Sequence, residues 1–158
     1  MADFGRFIGS DHTKGAHPSL AKQSQEDIPM AAEKDIFNVN DLSAGIPRGL
    51  SNGIKGQVFH GDQSTFMIAR FGPNMPGKIH KHPHEQWHLV LEGSCTRIHE
   101  DEKVACVTGD FWVTLPNVMH TVVAGDDGLV LLDFFSPRRD DYLQSGDGFG
   151  KATYQEGQ

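Results

Sequence analysis

The sequence predicts an all-β fold, and three features of the chain indicate it. Apolar residues recur at every second position in several short stretches, which is the pattern of strands with one buried face. The 158 residues include 18 glycines and 8 prolines, a composition that suits short strands joined by turns. No amphipathic segment of useful length has the period of a helix. The length and the 37% hydrophobic content predict one domain with a core of its own.

The elements are predicted in chain order. Residues 1–50 show little hydrophobic alternation, so we expect an irregular N-terminal extension, a mobile or draped arm in which His12 and His17 are solvent groups. A β-barrel is expected over 51–145 and a C-terminal tail over 146–158. The strands with the clearest alternation are 57–59, 64–71, 86–91, 95–99, 103–108, 109–115, 120–123 and 129–135.

Charge and hydropathy exclude some classes of function. The net charge of −7 argues against nucleic acid as a partner, because a phosphate backbone is met by a basic face. No apolar run is long enough to span a bilayer, so no membrane partner is expected. The first residues lack the basic and hydrophobic regions of a signal peptide, and a cytoplasmic location is the default expectation.

Cys95 and Cys106 are the two cysteines of the chain. They flank a predicted hairpin whose turn lies near Glu100 and Asp101, which would place them nearly opposite one another. In a chain without secretion signals, two buried reduced thiols are favoured over a disulfide or a redox role.

Four of the nine histidines fall between residues 80 and 88. Side chains two apart on a strand share a face, so His80 and His82 can offer two imidazoles to one metal ion. Pro83 then ends the strand, and Gln86 and His88 share the polar face of the next one. A turn at 116–119 delivers His120 as a third imidazole. The predicted metal ligands are therefore His80, His82, Gln86 and His120.

A competing ligand set, His82, His84 and His88, also has plausible spacing. Pro83 disfavours it, because a proline between two residues makes a common strand face for them less favourable. His84 is therefore predicted to be a loop residue. His88 faces inward in this scheme, either as a wall of the pocket or as a proton carrier.

Asp133 lies in the otherwise apolar run 129–135, on one face with Leu129, Leu131 and Phe135. A carboxylate in such a strand is costly unless it is hydrogen-bonded, paired or used in function. Arg138 and Arg139 follow closely, so one alternative is a structural salt bridge from Asp133 to an arginine. Beside a metal motif, a functional carboxylate is the favoured interpretation.

These residues resemble the two motifs of the cupin family. The first motif, His-x-His-x3-Glu-x6-Gly, appears as His80, His82, Gln86 and Gly93, with Gln in place of Glu, and the second runs from Gly109 to His120. The resemblance covers about residues 55 to 142. It implies a single-domain cupin, a double-stranded β-helix or jelly-roll barrel, and a homodimer as the default assembly.

The downstream pattern Asp133-x-Phe135-x3-Arg139 resembles more specifically the KdgF family of small cupins. Members of that family convert 4,5-unsaturated monosaccharides released from pectin and alginate into linear ketonised sugars. The resemblance implies the same four metal ligands and functional roles for Asp133, Phe135 and Arg139.

The residue types fit such chemistry. One divalent ion, with Fe, Ni, Mn and Zn all open, would keep its full charge beside three imidazoles and an amide and so act as a strong Lewis acid. Arg139 can clamp a carboxylate through its planar donors, and Asp133 can move a proton, with His88 as a second proton carrier. The expected substrate is a small carboxylated enol or keto sugar, converted by ketonisation, ring opening or isomerisation.

Two alternatives stay open at this point. The same scaffold with iron could act as a dioxygenase that cleaves a β-diketone or an enediol, which needs no base from the protein. The protein could also bind a sugar or metabolite without turning it over. The pair Asp133 and Arg139 favours proton transfer over both.

Overall fold

The structure is a computed structural model, and it describes residues 36–154. The predicted arm up to residue 35, with His12 and His17, lies outside the described residues. The predicted all-β class is confirmed, because the described chain consists of strands and two short 3-10 segments, Ser51–Gly53 and Asp140–Tyr142. Neither of these helical segments has the length or apolar character needed to cross a lipid bilayer.

Ten strands, numbered in chain order, make up one sheet. They are β1 (Ile46–Gly49), β2 (Lys55–His60), β3 (Thr65–Phe71), β4 (His80–Lys81), β5 (Glu85–His99), β6 (Glu102–Val107), β7 (Phe111–Thr114), β8 (His120–Ser136), β9 (Gly146–Asp147) and β10 (Thr153–Tyr154). The sheet thus begins before the expected start of the barrel at residue 51 and takes in two short strands after residue 145.

Strand β8 holds the sheet together. The neighbours run in the order β10, β4, β8, β3, β2, β1, β9, and β5 joins this path by pairing with β8 while it also pairs with β6 and β7. All of these pairs are antiparallel except β1 with β9. Strands β4 and β5 each pair with β8, so polar residues on the inner faces of these three strands lie close together.

Strands β5 and β8 are longer than the alternation predicts. Each joins two predicted strands into one, and the pairing between them shifts register between Val90 and Glu92 and again between Gly93 and Cys95. Gly93 allows this bend: its φ is +80°, and a Cβ at this position would lie 2.1 Å from the carbonyl oxygen of Gly128. Alternation along the chain does not predict these bends, because a bulge interrupts the alternation in the same way as the end of a strand.

The predicted faces of β5 are present. Gln86, His88 and Val90 are buried, whereas the Trp87 between them is 41% exposed. Apolar clusters lie on either side of the inward polar residues: one contains Ile54, Val58 and Met67, and the other contains Val90, Leu129 and Leu131. The polar site is therefore enclosed by apolar core, which strengthens every electrostatic interaction within it.

The hairpin between β5 and β6 turns at Glu100 and Asp101, as predicted, and places Cys95 opposite Cys106 in register. Both thiols are free and buried. Burial raises the pKa of Cys95 to about 12, so this thiol stays protonated and is a poor nucleophile near neutral pH.

Candidate metal centre

Three buried histidines converge inside the barrel. His80 on β4 and His120 at the start of β8 are directly paired across the two strands, and His82 follows β4 by one residue. One ring nitrogen from each lies within 4.8 Å of the others. The strand pairing explains the convergence, because paired residues on one face bring their side chains together.

The tautomer of each histidine is set by the backbone. The Nδ1–H groups of His80, His82 and His120 donate to the carbonyl oxygens of Lys78 (2.9 Å), His84 (3.1 Å) and Val118 (2.9 Å). A carbonyl oxygen can only accept, so Nδ1 carries the hydrogen and Nε2 of each neutral ring keeps a bare lone pair. Such outer hydrogen bonds are typical of imidazoles that ligate a metal through the other nitrogen.

Gln86 adds a fourth acceptor to this group. Its carbonyl oxygen Oε1 lies 2.8 Å from Nε2 of His82 and 3.1 Å from Nε2 of His120. With Nδ1 protonated, neither nitrogen has a hydrogen to share with that oxygen. Lone pairs that face one another in a buried space repel unless a cation lies between them, so the four atoms fit a divalent metal ion.

The electrostatics keep these imidazoles neutral. Burial lowers the pKa of His80 to about 3, and burial together with the nearby Arg139 lowers that of His82 to about 4. Burial and the neighbouring His80 and His88 lower the pKa of His120 further. A neutral imidazole is the form that ligates a metal, so the site is ready for an ion near neutral pH.

The competing ligand set is not brought together. Among residues 36–154, the converging three-histidine group consists of His80, His82 and His120. His84 lies in the loop between β4 and β5, as predicted, and serves the site through its backbone carbonyl. His88 turns its Nδ1 toward Asp133 instead.

Asp133 and His88 form a buried pair beside the metal ligands. Asp133 on β8 lies directly opposite His88 on β5, and Oδ1 of Asp133 is 2.7 Å from Nδ1 of His88. The amide nitrogen of Gln86 lies farther from the same Nδ1, at 3.3 Å. The other alternative, a salt bridge from Asp133 to an arginine, is not what the structure shows: within residues 36–154 the ion-pair partner of Asp133 is His88, which the strand register places opposite it.

Two polar residues that sequence reasoning missed complete this network. Nε2 of His88 lies 2.9 Å from Oγ1 of Thr114, and the same hydroxyl lies 2.8 Å from Nε2 of His99. Trp112 stacks on the His88 ring at 4.7 Å between centroids. Thr114 stands in a strand that the alternation predicts, opposite Gln86, but that pairing is a matter of register and leaves no mark in the sequence.

Arg139 lies behind Phe135. Its guanidinium packs at 4.0 Å over the Tyr142 ring and 5.1 Å over the Phe135 ring, and it is paired with Asp141 at 2.8 Å. Burial acts to raise the pKa of Asp141, but hydrogen bonds from Arg139 and from the Lys151 N–H lower it to about 2. Nη2 of Arg139 also donates to the Phe149 carbonyl (2.7 Å), while the buried Nη1 has no hydrogen-bond partner.

A small cavity joins these groups. Its volume is about 40 Å³, and its lining includes four polar side chains of the site (His80, Gln86, His88 and His120) together with Asp133. The opposite wall is apolar and includes Leu131, Phe135 and Phe149. The cavity therefore places metal ligands and a proton-accepting carboxylate around one enclosed space.

The sequence matches the Cupin domain family over residues 67–135. It is 38% identical over 96 residues to the pectin degradation protein KdgF of Dickeya dadantii (strain 3937), and the alignment covers 60% of this chain and 87% of that protein.

Solved structures agree with the sequence match. KdgF from Halomonas sp. superposes with a TM-score of 0.56 at 30% identity, covering 60% of this chain and 88% of that one. An RmlC-like cupin from Shewanella frigidimarina superposes with a TM-score of 0.61 at 24% identity, covering 72% of this chain and 98% of that one, which bears on the fold alone.

Proposed function

The chain belongs to the cupin family, and we propose that it is a metal-dependent enzyme that catalyses proton transfer on an unsaturated uronate or a related carboxylated enol or keto sugar. The relatives supply the substrate class, since the name of the Dickeya dadantii protein places it in pectin degradation. The observation that carries the proposal is the hydrogen-bonded pair of Asp133 and His88 in the wall of the same cavity as His80, Gln86 and His120.

His80, His82, Gln86 and His120 would hold the divalent ion. When bound there, the ion would act as a Lewis acid that lowers the cost of negative charge on a substrate oxygen. Because all four donor atoms are uncharged, none of them reduces the charge of the ion, which suits an anionic substrate. Fe, Ni, Mn and Zn all fit a set of three imidazoles and one amide oxygen.

Asp133 is the proposed base and His88 its partner. Ketonisation of an enol moves a proton from oxygen to carbon, and opening of a hemiketal removes a proton from a hydroxyl group. Both need a proton acceptor beside the reacting oxygen, and neither needs an oxidant. A buried carboxylate held at 2.7 Å from an imidazole can take a proton and share it with that ring. A dioxygenase has no such need for a base.

Arg139 and Phe135 are proposed to recognise the substrate. Phe135 supplies an apolar wall of the cavity, and the Arg139 guanidinium packs over its ring at 5.1 Å. The Arg139 Nη1 without a partner is a buried donor that a carboxylate would satisfy. Together these residues select a ring that carries an acid group.

The test is turnover of a 4,5-unsaturated uronate by protein of known metal content, with and without oxygen. Absorbance of the enol chromophore and oxygen uptake are followed together. Loss of the chromophore without oxygen uptake supports the proposal. Oxygen consumption would instead indicate a dioxygenase. Saturable binding with the sugar recovered unchanged would indicate a binding module.

The assembly and the location stay predictions. A homodimer has a candidate face on the outside of the sheet, where Phe66, Trp87 and Phe111 are 40%, 41% and 69% exposed. Sedimentation of the wild-type protein and of a Phe111→Glu variant would test this assembly.

A further inference from the structure

The Thr114 hydroxyl group bridges two imidazole nitrogens. Its Oγ1 lies 2.9 Å from Nε2 of His88 and 2.8 Å from Nε2 of His99. A hydroxyl group donates one hydrogen, so it can donate to one of these nitrogens and must accept from the other. The two rings therefore have opposite tautomers at Nε2: one is protonated there and the other is bare.

The tautomer of His88 also determines which atom donates in its hydrogen bond with Asp133. If Nδ1 of His88 carries a hydrogen, that hydrogen is donated to Asp133, which is then an ionised acceptor. Nε2 of His88 is then bare, the Thr114 hydroxyl donates to it, and His99 donates its Nε2–H to Thr114. If Nδ1 of His88 is bare instead, Asp133 must itself be protonated to make the 2.7 Å contact, and every hydrogen in the chain reverses.

The 2.7 Å contact between Nδ1 of His88 and Asp133 favours the first arrangement, because hydrogen bonds to an ionised carboxylate are short and its oxygens can only accept. Burial, with help from Arg97, lowers the pKa of His99 to about 4, so this ring is neutral and has a single N–H near neutral pH. Thr114 is 1% exposed and His88 is 4% exposed, so water does not compete for their hydrogen bonds. Trp112, stacked within 16° of the His88 plane, keeps the ring from turning over.

We propose that Thr114 and His99 are positioning residues that fix the His88 tautomer with Nδ1–H toward Asp133. They thereby keep the Nδ1–H of His88 directed at the carboxylate of Asp133. The catalytic consequence rests on the proposed function, whereas the tautomer itself is a property of the protein without substrate.

The test uses zinc-loaded protein, because zinc is diamagnetic, with 15N-labelled histidine. Nuclear magnetic resonance of the ring nitrogens distinguishes a protonated from a bare nitrogen. Thr114→Val removes the hydroxyl and keeps the shape, Thr114→Ser restores the hydroxyl, and Thr108→Val is a surface control. In the wild type we expect a single His88 tautomer protonated at Nδ1, and in Thr114→Val a mixture of both tautomers.

When a uronate that the wild type turns over is the substrate, Thr114→Val should lower kcat at least tenfold and leave KM within twofold of the wild-type value. Thr114→Ser should recover most of the loss in kcat. A His88 tautomer that is unchanged in Thr114→Val, in folded and metal-loaded protein, overturns the proposal. If no uronate is turned over but the tautomer changes, the positioning role stands and the proposed function fails.

A separate observation concerns access to the metal centre. Residues 146–154, here called the strap, run from β9, which pairs with β1, to β10, which pairs with β4 at His80. The Phe149 ring stacks on the His80 ring at 4.0 Å between centroids and 22° between planes. Phe149 thus lies directly on one of the metal ligands and forms part of the cavity wall.

The cavity is too small for a sugar. Its volume is about 40 Å³, whereas pockets for small organic ligands hold roughly 300 Å³ or more. A uronate can enter only after part of the wall moves. The strap has the shortest strand pairing of that wall, because two-residue strands lie at its ends while β3, β5 and β8 are held by long ladders.

The contacts of the strap include the donor that a substrate acid would use. The Phe149 carbonyl accepts from Nη2 of Arg139 (2.7 Å), and the Phe149 N–H donates to the Tyr154 hydroxyl (3.2 Å). When Phe149 leaves, one N–H of Arg139 Nη2 is freed beside the unpartnered Nη1, while the other N–H of Nη2 still donates to Asp141 (2.8 Å). A carboxylate presents two acceptor oxygens to a guanidinium and can satisfy both.

Independently, we propose that the strap opens to admit ligands and that Phe149 closes the mouth of the metal centre. The test follows zinc rather than substrate, so it does not depend on the proposed function. The rates of zinc uptake and of zinc removal by a chelator are measured for the wild type, Phe149→Ala and Tyr154→Phe, which removes one anchor of the strap. Phe66→Ala, a change on the outer face, is the control.

Both rates should rise about tenfold in Phe149→Ala and by a smaller factor in Tyr154→Phe, with little change in the dissociation constant, because an open mouth speeds both directions. Unchanged rates in both folded variants overturn the proposal. A rise confined to zinc removal also overturns it, since Phe149 would then act only by holding His80 in place.

Discussion

The carbonyl oxygen of Gln86 lies 2.8 Å from Nε2 of His82, and neither atom carries a hydrogen. Two acceptors at this separation are stable in a buried site only when a positive charge lies beside both. The cupin motif commonly has a glutamate here. The amide keeps the oxygen donor while leaving the charge of the bound ion undiminished, so position 86 is expected to set the balance between metal affinity and reactivity.

Gln86→Glu should therefore bind the metal more tightly and react more slowly. An added carboxylate attracts the ion but weakens it as a Lewis acid, and its second oxygen would compete with Asp133 for the Nδ1–H of His88. We expect roughly tenfold tighter zinc binding and at least tenfold lower kcat, on the order of 1.4 kcal/mol each. Competition with a fluorescent chelator and steady-state turnover measure the two effects, with the surface change Gln144→Glu as the control for charge. Equal kcat in both variants would contradict this role for Gln86.

Removal of a ligand imidazole should remove the metal. His80→Ala and His120→Ala each delete one of three converging nitrogens, and the remaining donors leave an open and poorly shaped site. His84→Ala is the matched control, because His84 contributes to the site through its backbone and belongs to the competing ligand set. Elemental analysis should find less than a tenth of a metal equivalent in the first two variants and a full equivalent in the control. Loss of metal from His84→Ala would instead support the competing set.

Asp133→Asn should retain the metal and the fold but lose turnover by about 100-fold or more. The amide keeps the size of the side chain and can still accept from His88 at Oδ1, but it cannot take up a proton. Metal content, the midpoint of thermal unfolding and kcat are measured on the same preparation. Normal turnover would show that Asp133 is structural and would leave His88 as the candidate base.

The sequence predicts the parts of this site that depend on alternation along one strand. Alternation predicts that His80 shares a face with His82 and that Gln86 shares a face with His88. It also shows that Asp133 is a carboxylate among apolar residues, which is unusual. What alternation cannot predict is the register between strands. The pairings of His88 with Asp133 and of Gln86 with Thr114 depend on the bulges near Gly93 and on strand length, so the sequence predicts a functional Asp133 but not its partner.

The tail was the least predictable region for a related reason. Residues 146–154 have no alternation, and their contacts with His80 and Arg48 come from chain segments far away in sequence. Long-range hydrogen bonds to backbone carbonyls, such as that from Arg48 to Gly148, leave no pattern in the residue types. The C-terminal tail was predicted only from the lack of alternation in its sequence. The strap becomes visible in the structure alone.

The pH dependence of folding tests the burial of the metal ligands in the metal-free protein. The folded pKa of His80 is about 3 and that of His82 about 4, both below the ordinary value of 6.5. Between these values the unfolded chain binds more protons than the folded protein, so stability is highest above pH 6.5 and falls as the pH falls.

From pH 7 to pH 5, each of these two histidines should lower the free energy of unfolding by about 2 kcal/mol. Urea unfolding of chelator-treated protein at the two pH values measures this loss. His80→Gln removes one of the two titrating groups while keeping a polar side chain, so its stability should fall by about 2 kcal/mol less than that of the wild type over the same range. An equal loss in wild type and variant would show that His80 is accessible to protons in the folded protein, which would contradict the closed site beneath Phe149.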